Sequence, residues 1–168
     1  MRFFRSLRLI PSLCVAFSVA LAFTAYTPAQ SFSASADTSS ALSIPTADQI
    51  TPDQLQHALS GSVTAQPLVI QVGSHLMFDQ EHIPYASYAG PGSQPEGLEQ
   101  LARALAPVPK DRAIVIYCGC CPWNHCPNIA PAYRKLRALG YTNVKALYLA
   151  HNFGEDWVAK GYPTQRTR

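Results

Sequence analysis

The sequence lacks an excess of charge of either sign once its first residues are set aside. Only 14% of the 168 residues are charged, and the net charge of +3 at pH 7 equals the contribution of Arg2, Arg5 and Arg8. Removing these three from the 13 Lys and Arg residues leaves ten basic residues against ten acidic ones. A chain so balanced offers no basic surface for nucleic acid or for an anionic membrane. We therefore expect no nucleic-acid partner.

Cysteine is also missing from most of the chain. Apart from Cys14, every cysteine lies within the nine residues from Cys118 to Cys126. No second group of metal-ligating residues stands elsewhere in the sequence, and there is no internal repeat. Chemistry that depends on thiols is therefore expected in one segment alone.

The N-terminal residues have the composition of an export signal. The three arginines precede an uncharged apolar run over residues 9–26, and small-residue cleavage patterns end at Ala29 and Ala36. These features predict a signal peptide over residues 1–36, cleaved after Ala29 or Ala36, and a periplasmic or secreted protein that meets the membrane only transiently. Because the run has 18 residues, close to the ~20 that span a bilayer, an uncleaved membrane anchor is the alternative.

The rest of the chain divides into a linker and one domain. Residues 37–50 are rich in Ser, Ala and Thr and are predicted to be a flexible linker. Residues 51–168 are sufficient for one domain with a core of ordinary size. We expect this domain to be a monomer without a cofactor.

Apolar patterns in this domain predict alternating strands and helices. A short helix should begin after Thr51, a suitable N-cap, with Pro52 in its first turn. Strands are predicted over residues 68–72, 113–117 and 144–149. Helices are predicted over residues 98–105 and 129–139, with a last short helix that carries Trp157. Strands so uniformly apolar indicate an α/β fold whose parallel sheet is covered on both faces.

The cysteines lie where such a fold binds its ligands. Open α/β sheets bind ligands outside the carboxyl ends of their strands. Cys118 directly follows one predicted strand and precedes the helix predicted from residue 129. Packing alone does not account for four cysteines on this loop. They indicate thiol chemistry or metal binding.

The following helix favours Cys118 as a nucleophile. Free N–H groups in the loop and at the helix N-terminus create a positive potential. That potential favours a thiolate and is expected to lower the pKa of Cys118 below its usual ~8.5. Gly119 allows the backbone to bend close to a bound group.

An ordered set of motifs resembles the rhodanese family. Residues 68–73 (LVIQVG) are similar to its first core strand, and residues 81–86 (EHIPYA) to its Gly-His-Ile-Pro-Gly-Ala signature. Residues 114–118 (IVIYC) resemble the strand that delivers the catalytic cysteine. Residues 139–144 (LGYTNV) and 157–163 (WVAKGYP) resemble the closing pattern. The resemblance spans roughly residues 51 to 164.

This resemblance implies a sulfurtransferase with a three-layer α/β fold. Cys118 would carry sulfane sulfur as a persulfide, taken from a small donor such as thiosulfate and passed to a thiol acceptor. Backbone amides of the active loop would cradle the persulfide, and the loop residues are Gly119, Cys120, Cys121, Trp123, Asn124, His125 and Cys126. His82, within the matched signature, is expected to have a structural role.

The chain also departs from the family pattern. Gln71 and Gly73 stand where the family usually has Asp and Arg. The active loop is longer than usual, and it contains no Arg between Cys118 and Asn128 that would bind thiosulfate. These departures leave the fold prediction in place and argue against a standard thiosulfate:cyanide reaction.

The additional cysteines leave two alternatives open. In an oxidising compartment the protein would exchange disulfides, with Cys120, Cys121 and Cys126 as partners of Cys118. The loop would otherwise be a non-enzymatic thiol or metal-binding module that uses the cysteines and His125. Against a metal, Cys120 beside Cys121 suits a single tetrahedral centre poorly, and the preferred interpretation contains none. His151, with Asn152, would either line the pocket or be an ordinary polar loop residue.

Overall fold

A computed structural model describes residues 44–167 of the chain. The predicted signal peptide, residues 1–36, and the first part of the predicted linker, up to residue 43, lie outside the described residues. Within residues 44–167, no helix has both the length and the apolar character needed to cross a membrane.

The centre of the fold is a five-stranded parallel sheet. Its strands are β1 (Gln49–Ile50), β2 (Leu68–Gln71), β3 (Ser87–Tyr88), β4 (Ile114–Tyr117) and β5 (Val144–Leu147). Their spatial order is β1-β5-β4-β2-β3, which places β4 in the middle. Parallel neighbours require crossover connections, and helices supply them here. The predicted α/β class is confirmed.

Five helices connect and cover the strands. They are α1 (Pro52–Leu59), α2 (His75–Gln80), α3 (Pro95–Leu105), α4 (Ile129–Ala138) and α5 (Phe153–Asp156). The predicted cap of α1 is present, because the Thr51 hydroxyl accepts from the Gln54 N–H at 3.2 Å and the Gln54 side chain accepts from the Thr51 N–H at 3.0 Å. This reciprocal capping box satisfies two N–H groups that the helix itself leaves free.

The side chains of β4 alternate between two hydrophobic cores. Ile114 and Ile116 lie in the core beneath α3 and α4. Val115 and Tyr117 lie in the core on the opposite face, beneath α1 and α5. Successive strand residues point to opposite faces, so a strand covered on both sides is apolar throughout. The alternation continues one residue further and places Cys118 in the same core as Ile116.

The domain begins earlier than the sequence predicts. Residues 44–50, assigned to the flexible linker, are part of the fold: Gln49 and Ile50 pair in parallel with Ala146 and Leu147 of β5. Ile44 is only 5% exposed, and its carbonyl accepts a hydrogen bond from the Gln49 side chain at 2.9 Å. The Ser- and Thr-rich composition hides this strand, because two residues are too few to show a period.

Trp157 is buried in the core, but it is not inside the short helix that the sequence predicts. Helix α5 ends at Asp156, and a separate 3₁₀ turn begins at Val158. Trp157 joins the two with a non-helical backbone, and its indole N–H donates to the Pro163 carbonyl at 2.9 Å. The position of this residue is therefore set by the burial of its large ring and by the hydrogen bond of its one donor, and not by helical spacing.

We predict that Ile44→Ala destabilises the domain. Removing a buried isoleucine side chain leaves a cavity and costs about 2–5 kcal/mol, whereas a linker residue would contribute nothing. The free energy of unfolding, measured in urea, should fall by at least about 2 kcal/mol. Val63→Ala is the control, since Val63 is 80% exposed. If the two variants were equally stable, residues 44–50 would belong to the linker and not to the domain.

Candidate functional site

Cys118 lies at the carboxyl end of the central strand. The Tyr117 carbonyl before it accepts the N–H of Val72, which extends the pairing of β4 with β2 to this point. The Cys118 side chain is buried, with 3% of the residue exposed. The strand pairing therefore holds the cysteine backbone rigidly where the loop begins.

An asparagine that the sequence does not single out contacts the Cys118 sulfur. The Asn128 Nδ2 donates to Cys118 Sγ at 3.1 Å, and both residues are buried. The Asn128 Oδ1 accepts the N–H of Ser93 at 3.0 Å, so the amide nitrogen must face the sulfur. At the start of a helix an asparagine is ordinarily a cap, but this side chain makes no cap hydrogen bond.

Three of the four cysteines converge. The Sγ atoms of Cys118, Cys120 and Cys126 all lie within 4.8 Å of one another, and the Cys118–Cys120 distance is 3.2 Å. Cys121 contacts the edge of this group: its Sγ lies 3.1 Å from Cys120 Sγ and donates to the His125 carbonyl at 3.7 Å, but it is not one of the three sulfurs that lie within 4.8 Å of one another. All four are free thiols. We call Cys118, Cys120 and Cys126 the thiol cluster.

Within the thiol cluster the pKa is lowered at Cys120 and Cys126 and raised at Cys118. Cys118 contributes most to lowering the pKa of Cys120, to about 5, through their contact at 3.2 Å, and it is also the largest influence that lowers the pKa of Cys126, to about 7. Its hydrogen bond to Cys120, the nearby Cys126 and burial together raise the pKa of Cys118. The expectation of a lowered pKa at Cys118 is therefore wrong for the resting site.

The helix N-terminus acts on a different cysteine from the one expected. The backbone N–H groups of Asn128 and Ile129, where α4 begins, lower the pKa of Cys126. For Cys118, the corresponding backbone donor is the N–H of Cys120. The loop bends in such a way that the amides of α4 face its last cysteine rather than its first.

Several of the backbone N–H groups that were predicted to cradle the persulfide have other hydrogen-bond partners. The N–H groups of Trp123, His125 and Cys126 donate to backbone carbonyls of Leu149, Pro122 and Trp123. Trp123 packs its ring against Tyr148 at 5.2 Å between centroids, while Asn124 and His125 are exposed on a 3₁₀ turn. Trp123, Asn124 and His125 shape the loop, and no hydrogen bond joins their described side chains to the Cys118 sulfur.

Solved structures share this architecture. The rhodanese-like domain of the Alr3790 protein from Anabaena matches with a TM-score of 0.51 and 20% identity, over 71% of this chain and 79% of that one. BH2092 from Bacillus halodurans matches with a TM-score of 0.55 and 20% identity, over 71% and 77% of the two chains. The chain has a rhodanese-like fold. No protein-family model matches the sequence, and neither does any curated protein.

A third solved structure with the rhodanese-like fold holds a modified cysteine. EanB, with a cysteine persulfide and ergothioneine, matches with a TM-score of 0.51 and 24% identity, over 70% of this chain and 28% of that one. At these identities the matches establish the fold. They confirm the resemblance drawn from the motifs at that level.

The two departures from the rhodanese pattern, at the end of β2 and two residues after it, both lie against Cys118. The Gln71 side chain donates to the Cys118 carbonyl at 3.3 Å, and its buried Oε1 has no hydrogen-bond partner. At Gly73, a Cβ would stand 2.7 Å from the Cys118 carbonyl oxygen and 3.0 Å from its Sγ. Any larger residue at position 73 would therefore displace the cysteine, so this chain needs glycine there.

A cleft of about 660 Å³ opens beside the loop. Gly119 and Cys120 form one side of it, and Asn152 and Phe153 form another. Cys118 does not line the cleft, so Cys120 is the cluster thiol that meets solvent there. Gly119 has a φ of +87°, and a Cβ would lie 3.0 Å from that of Phe153, so glycine allows the close approach.

The cleft also holds charges that lie far away in sequence. Asp79 and Glu81 come from the segment after β2, and Arg166 comes from the C-terminal residues. Arg166 is the kind of cation that the active loop lacks. No local pattern predicts it, because only the tertiary fold brings residue 166 beside residue 120.

The histidines near the site have structural partners. His82 stacks on Phe78 with 3.9 Å between ring centroids, and its Nδ1 lies 2.7 Å from the Phe78 carbonyl, in keeping with the structural role expected. His151 pairs with Asp156 at 3.2 Å and does not line the cleft. Asn152 does line it and also caps α5 through the N–H of Glu155.

We predict that the reactivity of Cys120 depends on Cys118. Iodoacetamide alkylates thiolates, so the rate at Cys120 should rise through pH 5 and be nearly constant at neutral pH. Cys118→Ala removes the principal donor to this thiolate and should move the midpoint to higher pH. Peptide mass spectrometry of protein alkylated across the pH range measures both profiles.

Asn124→Ala is the control for this shift, because Asn124 is exposed and lies on the same loop. Its profile should match that of the unmodified chain. An unchanged midpoint in Cys118→Ala would contradict the hydrogen bond between the two sulfurs.

Proposed function

We propose that this protein is a thiol-dependent sulfurtransferase that carries sulfane sulfur as a persulfide on Cys118. The observation that carries the proposal is the setting of the Cys118 sulfur at the carboxyl end of β4. There Sγ receives the Asn128 amide at 3.1 Å and lies 3.2 Å from Cys120 Sγ. The motifs that resemble the rhodanese family imply that the cysteine at this position of the fold carries the persulfide.

The proton of Cys118, which must leave before this sulfur can attack, lies beside Cys120. The lowered pKa of Cys120, about 5, makes it a thiolate at neutral pH, and it already accepts the Cys118 hydrogen bond. The charge must move to Cys118 for attack, since the thiolate is the nucleophile. The Asn128 amide and the Cys120 N–H then stabilise that charge, because both donate to the Cys118 sulfur.

The transfer itself takes two displacements at sulfur. The Cys118 thiolate attacks the outer sulfur of a donor, a new S–S bond forms, and the donor's S–S bond breaks. The leaving group, sulfite for thiosulfate or a thiolate for a persulfide, departs with the electron pair. An acceptor thiolate then attacks the outer sulfur of the Cys118 persulfide and releases the Cys118 thiolate, which regains its proton.

The cleft favours a small donor of low charge. Arg166 supplies a positive charge on its wall, and the exposed Cys120 separates it from the buried Cys118. Asp79 and Glu81 on the same wall oppose an anion of high charge. We therefore propose a donor with one accessible sulfane sulfur, such as a low-molecular-weight persulfide, ahead of thiosulfate.

Disulfide exchange is the second candidate function, and the sulfur distances favour it. Cys120 Sγ lies 3.2 Å from Cys118 Sγ and 3.1 Å from Cys121 Sγ, so a small movement joins either pair.

We further propose that residues 1–36 export the protein to the periplasm or beyond. In an oxidising compartment, such cysteine pairs tend to become disulfides.

Intact mass separates the two candidates. The reduced protein, treated anaerobically with a persulfide donor or with thiosulfate, should gain one sulfur atom that cyanide or a reductant removes. Cys118→Ser should abolish the gain, and Cys121→Ser, outside the thiol cluster, should retain it. No gain of sulfur, with the reversible loss of two hydrogens instead, would overturn the proposal in favour of disulfide exchange.

We predict that Asn128→Ala slows the loading of sulfur without abolishing it. A hydrogen bond to a charged group contributes roughly 1.5–3 kcal/mol, so the rate should fall by roughly 10- to 150-fold. Quenched samples analysed by intact mass give this rate. Asn124→Ala is the matched control, an exposed asparagine on the same loop, and should load at the original rate. If Asn128→Ala and Asn124→Ala load sulfur at the same rate, Asn128 has no part in the reaction.

A further inference from the structure

We propose that the thiol cluster of Cys118, Cys120 and Cys126 is also a binding site for one soft monovalent metal ion, Cu(I). The three Sγ atoms lie within 4.8 Å of one another and come from both ends of the loop. Cys118 follows β4 and Cys126 precedes α4, so two regular elements hold the outer ligands in place.

The number of ligands favours copper over zinc. Structural zinc sites are almost always four-coordinate, whereas among the described residues only three thiols here lie within 4.8 Å of one another. Cys121 faces the His125 carbonyl, and the His125 imidazole is not among the converging ligands. Soft thiolate ligands select Cu(I), which accepts three sulfur ligands in a plane.

The spacing of the sulfurs fits such a site. With metal–sulfur bonds of about 2.3 Å, three sulfurs in a plane around one ion stand about 4.0 Å apart. The shortest observed separation, 3.2 Å, and the outer limit, 4.8 Å, lie on either side of this distance. A rotation of the exposed Cys120 side chain is the principal adjustment required.

The main objection from the sequence does not hold in the folded loop. Adjacent cysteines suit one tetrahedral centre poorly, but only Cys120 of the adjacent pair points into the cluster. Cys120 also lines the cleft, which gives the ion a route from solvent to the buried Cys118. The Asn128 amide, bonded to Cys118 Sγ, is an outer partner of the kind that orients metal ligands.

Copper and sulfur would compete for the same atom. If Cys118 Sγ binds Cu(I), its lone pair is not available to attack a sulfur donor. Copper-loaded protein should therefore gain no sulfur until a chelator removes the metal. This consequence rests on the proposed function, whereas the binding of copper does not.

The test is an anaerobic titration of the full chain with Cu(I) against the chromogenic chelator bicinchoninate. We expect one Cu(I) per chain and an X-ray absorption spectrum with three sulfur neighbours. Cys118→Ser, Cys120→Ser and Cys126→Ser should each weaken binding by at least about tenfold, the equivalent of about 1.4 kcal/mol. Asn124→Ala, an exposed residue on the same loop, is the control and should bind as the original chain does, whereas Cys121→Ser, which alters only a neighbour of Cys120, should weaken binding less than each of these three.

Three outcomes would overturn the proposal. They are no copper retained against the chelator, equal weakening by Cys121→Ser, or a fourth protein ligand with zinc bound more tightly than copper. Circular dichroism of each variant identifies loss of folding, and Cys126→Ala provides a second substitution where serine disturbs the loop. Sulfur loading is measured separately on metal-free protein, so failure of the proposed function would leave the copper result standing.

Discussion

The chemistry of this protein depends on the position of β4 in the middle of the sheet. Pairing with β2 on one side and β5 on the other fixes its backbone. Its side chains are all apolar, because they point alternately into the two cores on its two faces. Because the alternation continues past Tyr117, the Cys118 sulfur points toward α3 and α4. That direction brings it to Asn128 and away from open solvent. The burial and the orientation of Cys118 both follow from this one constraint.

The three cysteines of the thiol cluster differ in burial and in pKa. Cys118 is buried and protonated, Cys120 is exposed to the cleft with a lowered pKa, and Cys126 receives the first amides of α4. A proton shared among three close sulfurs allows charge to move to whichever sulfur reacts. The same closeness suits sulfur transfer, disulfide exchange and binding of a soft metal ion. What distinguishes these reactions is the partner that enters the cleft.

Sequence patterns predicted the fold well where the chain is long and periodic. The apolar runs of β2, β4 and β5, and the helical spacing in α3 and α4, identified those elements to within a few residues. They did not identify β1, β3 or α2, because two-residue strands and a six-residue helix carry too little periodicity. The linker prediction extended too far for the same reason, and Trp157 is held by burial and one hydrogen bond rather than by a helix.

By itself, the sequence determined where the chemistry lies: four cysteines in nine residues, between a strand and a helix, at the carboxyl edge of a parallel sheet. Only the tertiary structure decided which cysteine carries the charge and what contacts Cys118. The path of the loop turns the α4 amides toward Cys126, folds Cys121 out of the cluster, and brings in Asn128 and the backbone beside Gly73. Hydrogen bonds and burial set a thiol pKa across space, and residue order does not encode those distances.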